Sequence, residues 1–345
     1  MPKTICLSSK AINALCSYGE EILGEDPQGK YMMSVLPMFH GFGLAMGVHA
    51  MLALGGTSTL MPRFDAEKVI KHIENDKINY LIGVPTLYEK LLENGDFSGK
   101  KLKNVHCAFV GGDFVSDRLK NEFNERMQEA GSHVRLFEGY GLTETVTVCS
   151  VNTVNDYRDG SVGKPVGENK IYAFDGENKL DFNSIGELCI AGEQLMSGYL
   201  YDRSSDAFFN YEGEMFVRTG DMGYVDEDGF VYFVSRKKRI AKVKGITVFP
   251  TEIEKLCTIE RPVVKEACVV SIPDKKLGDA LYLFATLKEK LNDKERADLK
   301  NDLADFIESR LSCYARPHKV FFLPTFPQTA VGKIDVNKLR DIYLK

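Results

Sequence analysis

A few short stretches of this chain carry residue types suited to binding and transferring charged oxygen groups. Gly139-Tyr140-Gly141-Leu142 sets an aromatic ring between glycines, which let a backbone approach a ligand closely. Thr143-Glu144 follows at once and offers a hydroxyl donor and a hard carboxylate oxygen of the kind Mg2+ prefers. Asp221, in Thr219-Gly220-Asp221, can accept two hydroxyl hydrogen bonds. Fifteen residues on, the planar fork of Arg236 suits ribose or phosphate oxygens. Lys333, after Gly332, ends the series with a point charge. Each has a plainer reading. Thr-Glu often starts a helix, Gly111-Gly112-Asp113 fits an ordinary strand-to-helix turn, and Asp221 fits an Asx turn. Arg236 lies in the basic run Arg236-Lys237-Lys238-Arg239, and such charges are usually solvated. A lone His40 is more often structural, and Gly245 fits a bulge.

The elements that must position these groups fall into three textures. Strand and helix patterns alternate at first: strands over Tyr31–Leu36, Thr57–Met61, Tyr80–Val84, Val105–Val110 and Val134–Phe137, and helices capped by Asp65 and Ser116. The apolar stretch Leu44–Leu54 reads as a buried helix, too short to span a bilayer. This alternation predicts an α/β fold with a mostly parallel sheet and flanking helices. Short strands separated by Gly, Asn and Asp turns then predict an antiparallel β unit. After Arg236 a small, mobile α+β C-terminal domain is expected, with a helix begun by Asn292 and Glu295 in capping-box spacing. The expected divisions are 1–155, 156–235 and 236–345.

Composition bounds the function. The chain has 345 residues and a net charge of −5, which argues against a nucleic-acid binder. Its eight cysteines form no C-x-x-C pair and read as buried reduced thiols in a reducing compartment. With no signal-peptide pattern at the start, a cytoplasmic location is expected.

The order of the motifs is more informative than any one of them. Pro37-Met38-Phe39-His40-Gly41, Gly139–Glu144, Gly186-Glu187-Leu188 with Gly198-Tyr199, Arg218-Thr219-Gly220-Asp221, Lys244-Gly245 with Pro250–Glu254, and Thr329–Asp335 resemble, in order and spacing, the core motifs of the adenylate-forming acyl-CoA synthetase, luciferase and peptide-synthetase family. The resemblance implies ATP, Mg2+ and CoA as cofactors and a carboxylic acid as substrate. It makes Tyr140 the adenine-stacking residue, with Gly111, Gly112 and Asp113 supplying backbone beside the base. Thr143 then contacts the α-phosphate, Glu144 holds Mg2+, and Asp221 and Arg236 take the ribose. Lys333 becomes the catalytic lysine between carboxylate and α-phosphate. Phe39 and His40 border the acyl pocket, and Lys244 and Gly245 border the thiol tunnel. Arg239 falls at the interdomain hinge.

Two features depart from the family. Met1-Pro2-Lys3 looks like the end of the family's phosphate loop, whose glycine-rich part is absent, so N-terminal truncation is expected. The hinge carries Arg239 where the family has Asp or Lys, and Ser235 precedes Arg236 in place of Gly. The motifs look closer to acyl- or aryl-CoA ligases than to amino-acid adenylation domains, since Phe39-His40 offers no Asp for a substrate amine. A hydrophobic acid is the expected substrate. Two readings stay open: a ligase, active alone or with a complementing N-terminal chain, and a non-catalytic truncated relative. A homo-oligomer is a further expectation. A dinucleotide-dependent oxidoreductase fails for want of a placed G-x-G-x-x-G.

Overall fold

The computed structural model describes residues 4–201, 206–328 and 334–343. The chain divides into two compact units, Met1–Thr219 with Gly223–Phe233, and Gly220–Met222 with Val234–Lys345.

The first unit is built on a seven-stranded sheet in the order Thr57–Leu60, Tyr31–Ser34, Tyr80–Gly83, Cys107–Val110, Leu136–Gly141, Val148–Val151, Lys164–Pro165. The first five strands run parallel, and each of the last two is antiparallel to the strand before it. Alternation along each strand splits the core in two, as a sheet covered on both faces requires. Met33, Leu81, Ala108, Val110 and Leu136 face one apolar cluster. It is completed by Val69, Ile70 and Ile73 of helix Ala66–Asn75, Tyr88 and Leu91 of Pro85–Glu93, and Leu119, Phe123 and Met127 of Asp117–Glu129. Met32, Tyr80, Ile82, Cys107, Phe109 and Phe137 face the other, under helices Ser9–Ser17 and Gly19–Leu23 and the apolar helix from Phe42. Three of these helices begin as local chemistry dictates. Ser8, Asp65 and Ser116 each accept a hydrogen bond from the backbone N–H three residues on, at 3.0, 3.1 and 3.2 Å.

A second sheet orders Asn178–Lys179, Lys170–Asp175, Gly186–Ala191, Glu214–Val225 and Phe208–Tyr211, with Val231–Arg236 also pairing Glu214–Val225. Its hairpins Lys170–Asp175 with Gly186–Ala191, and Phe208–Tyr211 with Glu214–Val225, are antiparallel.

The second unit folds around a five-stranded sheet. Val264–Asp274 and Gly278–Leu287 form a long antiparallel hairpin, and Lys319–Leu323 joins Gly278–Leu287 in parallel. Helix Asp293–Arg310 carries the expected capping box between Asn292 and Glu295 and buries Leu303 and Ile307 against this sheet. The fold class read from the sequence is therefore the observed one, while four local expectations change. The strand expected at Val134–Phe137 runs from Leu136 to Gly141, because Tyr140 pairs with Ser150 of the next strand. Tyr140 thus lies on a strand. The expected buried helix is a π-helix over Phe42–Ala50 followed by a turn of α-helix over Met51–Ala53, and it leaves Leu44 and Leu52 exposed. Gly245 is no bulge. With φ of 49° and 81°, Lys244 and Gly245 make the two-residue turn between Ala241–Val243 and Ile246–Val248, the twist-matched hairpin turn that needs positive φ at both positions. Finally, six cysteines are buried, but Cys6 is half-buried and Cys313 exposed.

Candidate nucleotide site

Parallel strands deliver their C-terminal ends to one edge of a sheet, where α/β proteins bind ligands. Pro37–Gly41 follows strand Tyr31–Ser34 at this edge, Gly111–Asp113 follows Cys107–Val110, and Gly139–Glu144 ends Leu136–Gly141. The chains come so close here that side chains are excluded. A β-carbon on Gly111 would lie 2.9 Å from the Gly139 carbonyl oxygen. One on Gly41 would lie 2.0 Å from the Val146 carbonyl oxygen, and one on Gly141 only 1.5 Å from that of Thr147. The structure therefore brings together Gly41, Gly111, Gly139, Gly141 and the Thr143–Val146 segment, which are spread over about a hundred positions in sequence.

Tyr140 is half-buried, its ring 6.3 Å from that of Phe233. Gly112 adopts φ +80°, and the Asp113 carboxylate accepts the Phe114 N–H at 2.9 Å. Thr143, Glu144 and Thr145 form a single 3-10 turn, so Thr-Glu does not open a helix of any length. The Thr143 side chain is exposed. The Glu144 carboxylate is half-buried and accepts the Tyr199 hydroxyl at 2.9 Å through Oε1. This arrangement leaves carboxylate oxygen for a hard cation. No group of three or more His, Cys, Asp or Glu among the described residues converges on a metal site. A cation at Glu144 would take its other ligands from phosphate oxygens and water, the usual habit of Mg2+. Glu144 fits that role.

Phe39 and His40 sit at the same edge. Phe39 is 85% exposed, and His40 accepts the Phe42 N–H at 3.2 Å through Nδ1. In the second unit, the fully buried Asp221 carboxylate is held by Arg236 Nε at 2.8 Å, while the Arg236 side chain is about half exposed. Arg236 is thus ion-paired, not merely solvated. Arg239 lies in the turn Lys237–Arg239; it is bonded to Glu254 and donates to the Val269 carbonyl at 3.3 Å. Lys333 lies outside the described residues.

Sequence reasoning gave no role to Tyr199, Gln194 or Val146. Gly198-Tyr199 was visible as a motif, but Tyr199 finds its partner 55 residues away. Gln194 is fully buried and donates to the Thr145 and Val148 carbonyls at 3.3 and 2.9 Å, contacts no local pattern announces.

Comparison with known proteins agrees with this geometry. The AMP-binding enzyme family model matches residues 1–200, and the model for the C-terminal domain of AMP-binding enzymes matches residues 252–333. The chain belongs to the AMP-binding, adenylate-forming enzyme family, and its relatives are acyl- and aryl-CoA ligases. It is 33% identical over 319 residues to a long-chain-fatty-acid–CoA ligase of Salmonella typhimurium, covering 91% of this chain and 54% of that protein. It is 31% identical to 4-coumarate–CoA ligase-like 2 of Arabidopsis thaliana, covering 87% and 52%. Among solved structures, o-succinylbenzoate CoA synthetase of Bacillus subtilis with its acyl-adenylate intermediate superposes with a TM-score of 0.83 at 27% identity, covering 99% of this chain and 66% of that one. An ATP-bound RpMatB-BxBclM chimera gives 0.88 at 26%, covering 99% and 65%. The chain spans about half the length of the curated relatives it matches. No helix among the described residues is long and apolar enough to cross a membrane.

Proposed function

We propose that this chain carries the catalytic motifs of an ATP-dependent acid–thiol ligase that joins a hydrophobic carboxylic acid to CoA. In the first step a carboxylate oxygen attacks the α-phosphorus of ATP, the bond to pyrophosphate breaks, and an acyl-adenylate forms. In the second, the thiol sulfur attacks the acyl carbon, its proton passes to solvent, and AMP leaves. The first step joins two anions, so aimed donors and cations must offset their repulsion.

Tyr140 offers its ring to adenine, beside the backbone of Gly111, Gly112 and Asp113, with Gly139, Gly141 and Leu142 shaping the approach. The Thr143 hydroxyl donates to the α-phosphate. Glu144 holds Mg2+, which when bound neutralises phosphate charge. Asp221 and Arg236 take the ribose, and Lys333 bridges carboxylate and α-phosphate. Phe39 and His40 line the acid's path, Lys244 and Gly245 line the thiol's, and Arg239 marks the hinge. The reading divides the chain at 1–155, 156–235 and 236–345 and places the protein in the cytoplasm. The observation that carries it is the convergence of Gly41, Gly111, Gly139 and Thr143–Glu144 on one sheet edge in a chain of this family. In a second form of the same reading, the chain works with a complementing N-terminal chain or as a homo-oligomer.

Pyrophosphate release with ATP, Mg2+, CoA and a panel of fatty and aryl acids tests the proposal. Turnover is expected, falling by about a hundredfold or more in Lys333→Ala. A folded chain that neither binds ATP nor releases pyrophosphate with any acid refutes it.

A further inference from the structure

The turn bearing Thr143 and Glu144 is backbone-strained. Val146 has φ +64° and ψ −59°, and the Thr147 N–H reaches the Thr145 carbonyl at 2.7 Å. This is the rare positive-φ γ-turn, made here by a buried β-branched residue. Such a conformation persists only where its surroundings over-determine it.

Three residues of one short segment supply much of that determination. Gln194 holds the Thr145 and Val148 carbonyls on either side of the γ-turn. The Met196 N–H donates to the Glu144 carbonyl at 2.7 Å, and the Tyr199 hydroxyl donates to the Glu144 carboxylate. The segment is anchored in turn. The Asn169 amide donates to Gln194 Oε1 at 2.5 Å and to the Val166 carbonyl at 2.8 Å, and Gly198-Tyr199 pairs antiparallel with Ile5-Cys6. Within the turn, the buried Thr145 hydroxyl lies 3.1 Å from the Leu142 N–H and from the Leu142 and Thr147 carbonyls.

We infer that residues 194–199 are a positioning clamp for the candidate phosphate and metal turn. Tyr199 aims the Glu144 carboxylate, and Gln194 holds the γ-turn that sets where Thr143 and Glu144 emerge. The inference rests on the proposed function for its ligand, an Mg2+–nucleotide, and on the structure alone for the clamp. Hydrogen bonds that orient a ligating carboxylate are worth about tenfold or more in metal affinity.

The test uses the full chain, a fluorescent ATP analogue, Mg2+ titration and amide hydrogen exchange. Tyr199→Phe removes one oxygen. It is expected to weaken the Mg2+ dependence of nucleotide binding about tenfold, while metal-free nucleotide affinity and the thermal midpoint stay at wild type. Gln194→Met is expected to weaken nucleotide binding with and without Mg2+ and to speed exchange at the Val146 and Thr147 amides, with protection elsewhere retained. The clamp is refuted if Tyr199→Phe leaves the Mg2+ dependence unchanged, if it lowers metal-free binding equally, or if Gln194→Met only lowers the thermal midpoint. A wild-type chain that binds no nucleotide counts against the proposed function instead. The exchange data then decide the clamp alone, since loss of protection confined to residues 143–148 supports it and unchanged protection overturns it.

Discussion

Gly141 shows how little freedom the site allows a single residue. Its missing β-carbon would lie 1.5 Å from the Thr147 carbonyl oxygen, a backbone atom that cannot swing aside. Gly141→Ala is expected to destabilise the first unit by about 3 kcal/mol, read as a lower urea midpoint. A second expectation concerns acid. Burial raises the Asp226 pKa, but the Phe230 N–H, the Arg158 guanidinium and the Tyr232 hydroxyl outweigh it, so the carboxyl lies below its ordinary 3.8. Its folded value is depressed, so its contribution to stability is complete above about pH 4 and is lost as pH falls through the lowered folded value. In Asp226→Asn that acid-side loss should flatten, and stability at neutral pH should fall because Arg158 loses its 2.6 Å partner. Urea unfolding at several pH values checks both. An unchanged slope below pH 4 would show that the pair contributes nothing.

Among the elements, those with local causes behave as their residues dictate. Helix Ala66–Asn75 starts at Asp65, Asp117–Glu129 at Ser116 and Asp293–Arg310 at Asn292, because a capping side chain satisfies an N–H three residues away whatever the rest of the chain does. The helix from Phe42 departs from this pattern. It is apolar, it is wound as a π-helix, and Gly43 and Gly47 bring it against the Pro37 carbonyl and the Ser34 side chain. In the second unit, helix Pro250–Glu260 is tied to the long hairpin by Glu254, which accepts from Arg239 and, at 2.6 Å, from the Val269 N–H. Glu254→Ala strands both donors. It should lower the stability of this unit by about 2–4 kcal/mol, the cost of breaking a largely buried pair. Thermal unfolding followed by circular dichroism is the readout, and a change within error would deny the tie.

At the scale of the molecule, several large apolar side chains are exposed. Met38, Phe39, Leu52 and Leu60 are between 54% and 85% exposed, and Leu60 lies on the edge strand of the seven-stranded sheet. An exposed edge strand and exposed apolar side chains favour association. The chain is therefore expected to self-associate with rising concentration, and Leu52→Lys with Leu60→Glu should return it to monomer in light scattering. A wild type that stays monomeric at high concentration would count against this.

The sequence by itself determined the layout: strand and helix alternation, the three capped helix starts, the antiparallel unit, and a motif order that resembled the family the comparisons then showed. These signals are local or repeat along the chain, so one sequence displays them. Only the tertiary structure decided that strand Leu136–Gly141 extends through Tyr140, that Val146 takes a positive φ, and that Gln194 and Tyr199 reach back about fifty residues to hold the Thr143–Thr147 turn. The physical reason is that a γ-turn at valine and a hydrogen bond across the fold are imposed by neighbours remote in sequence. Their residue types carry no propensity that would announce them.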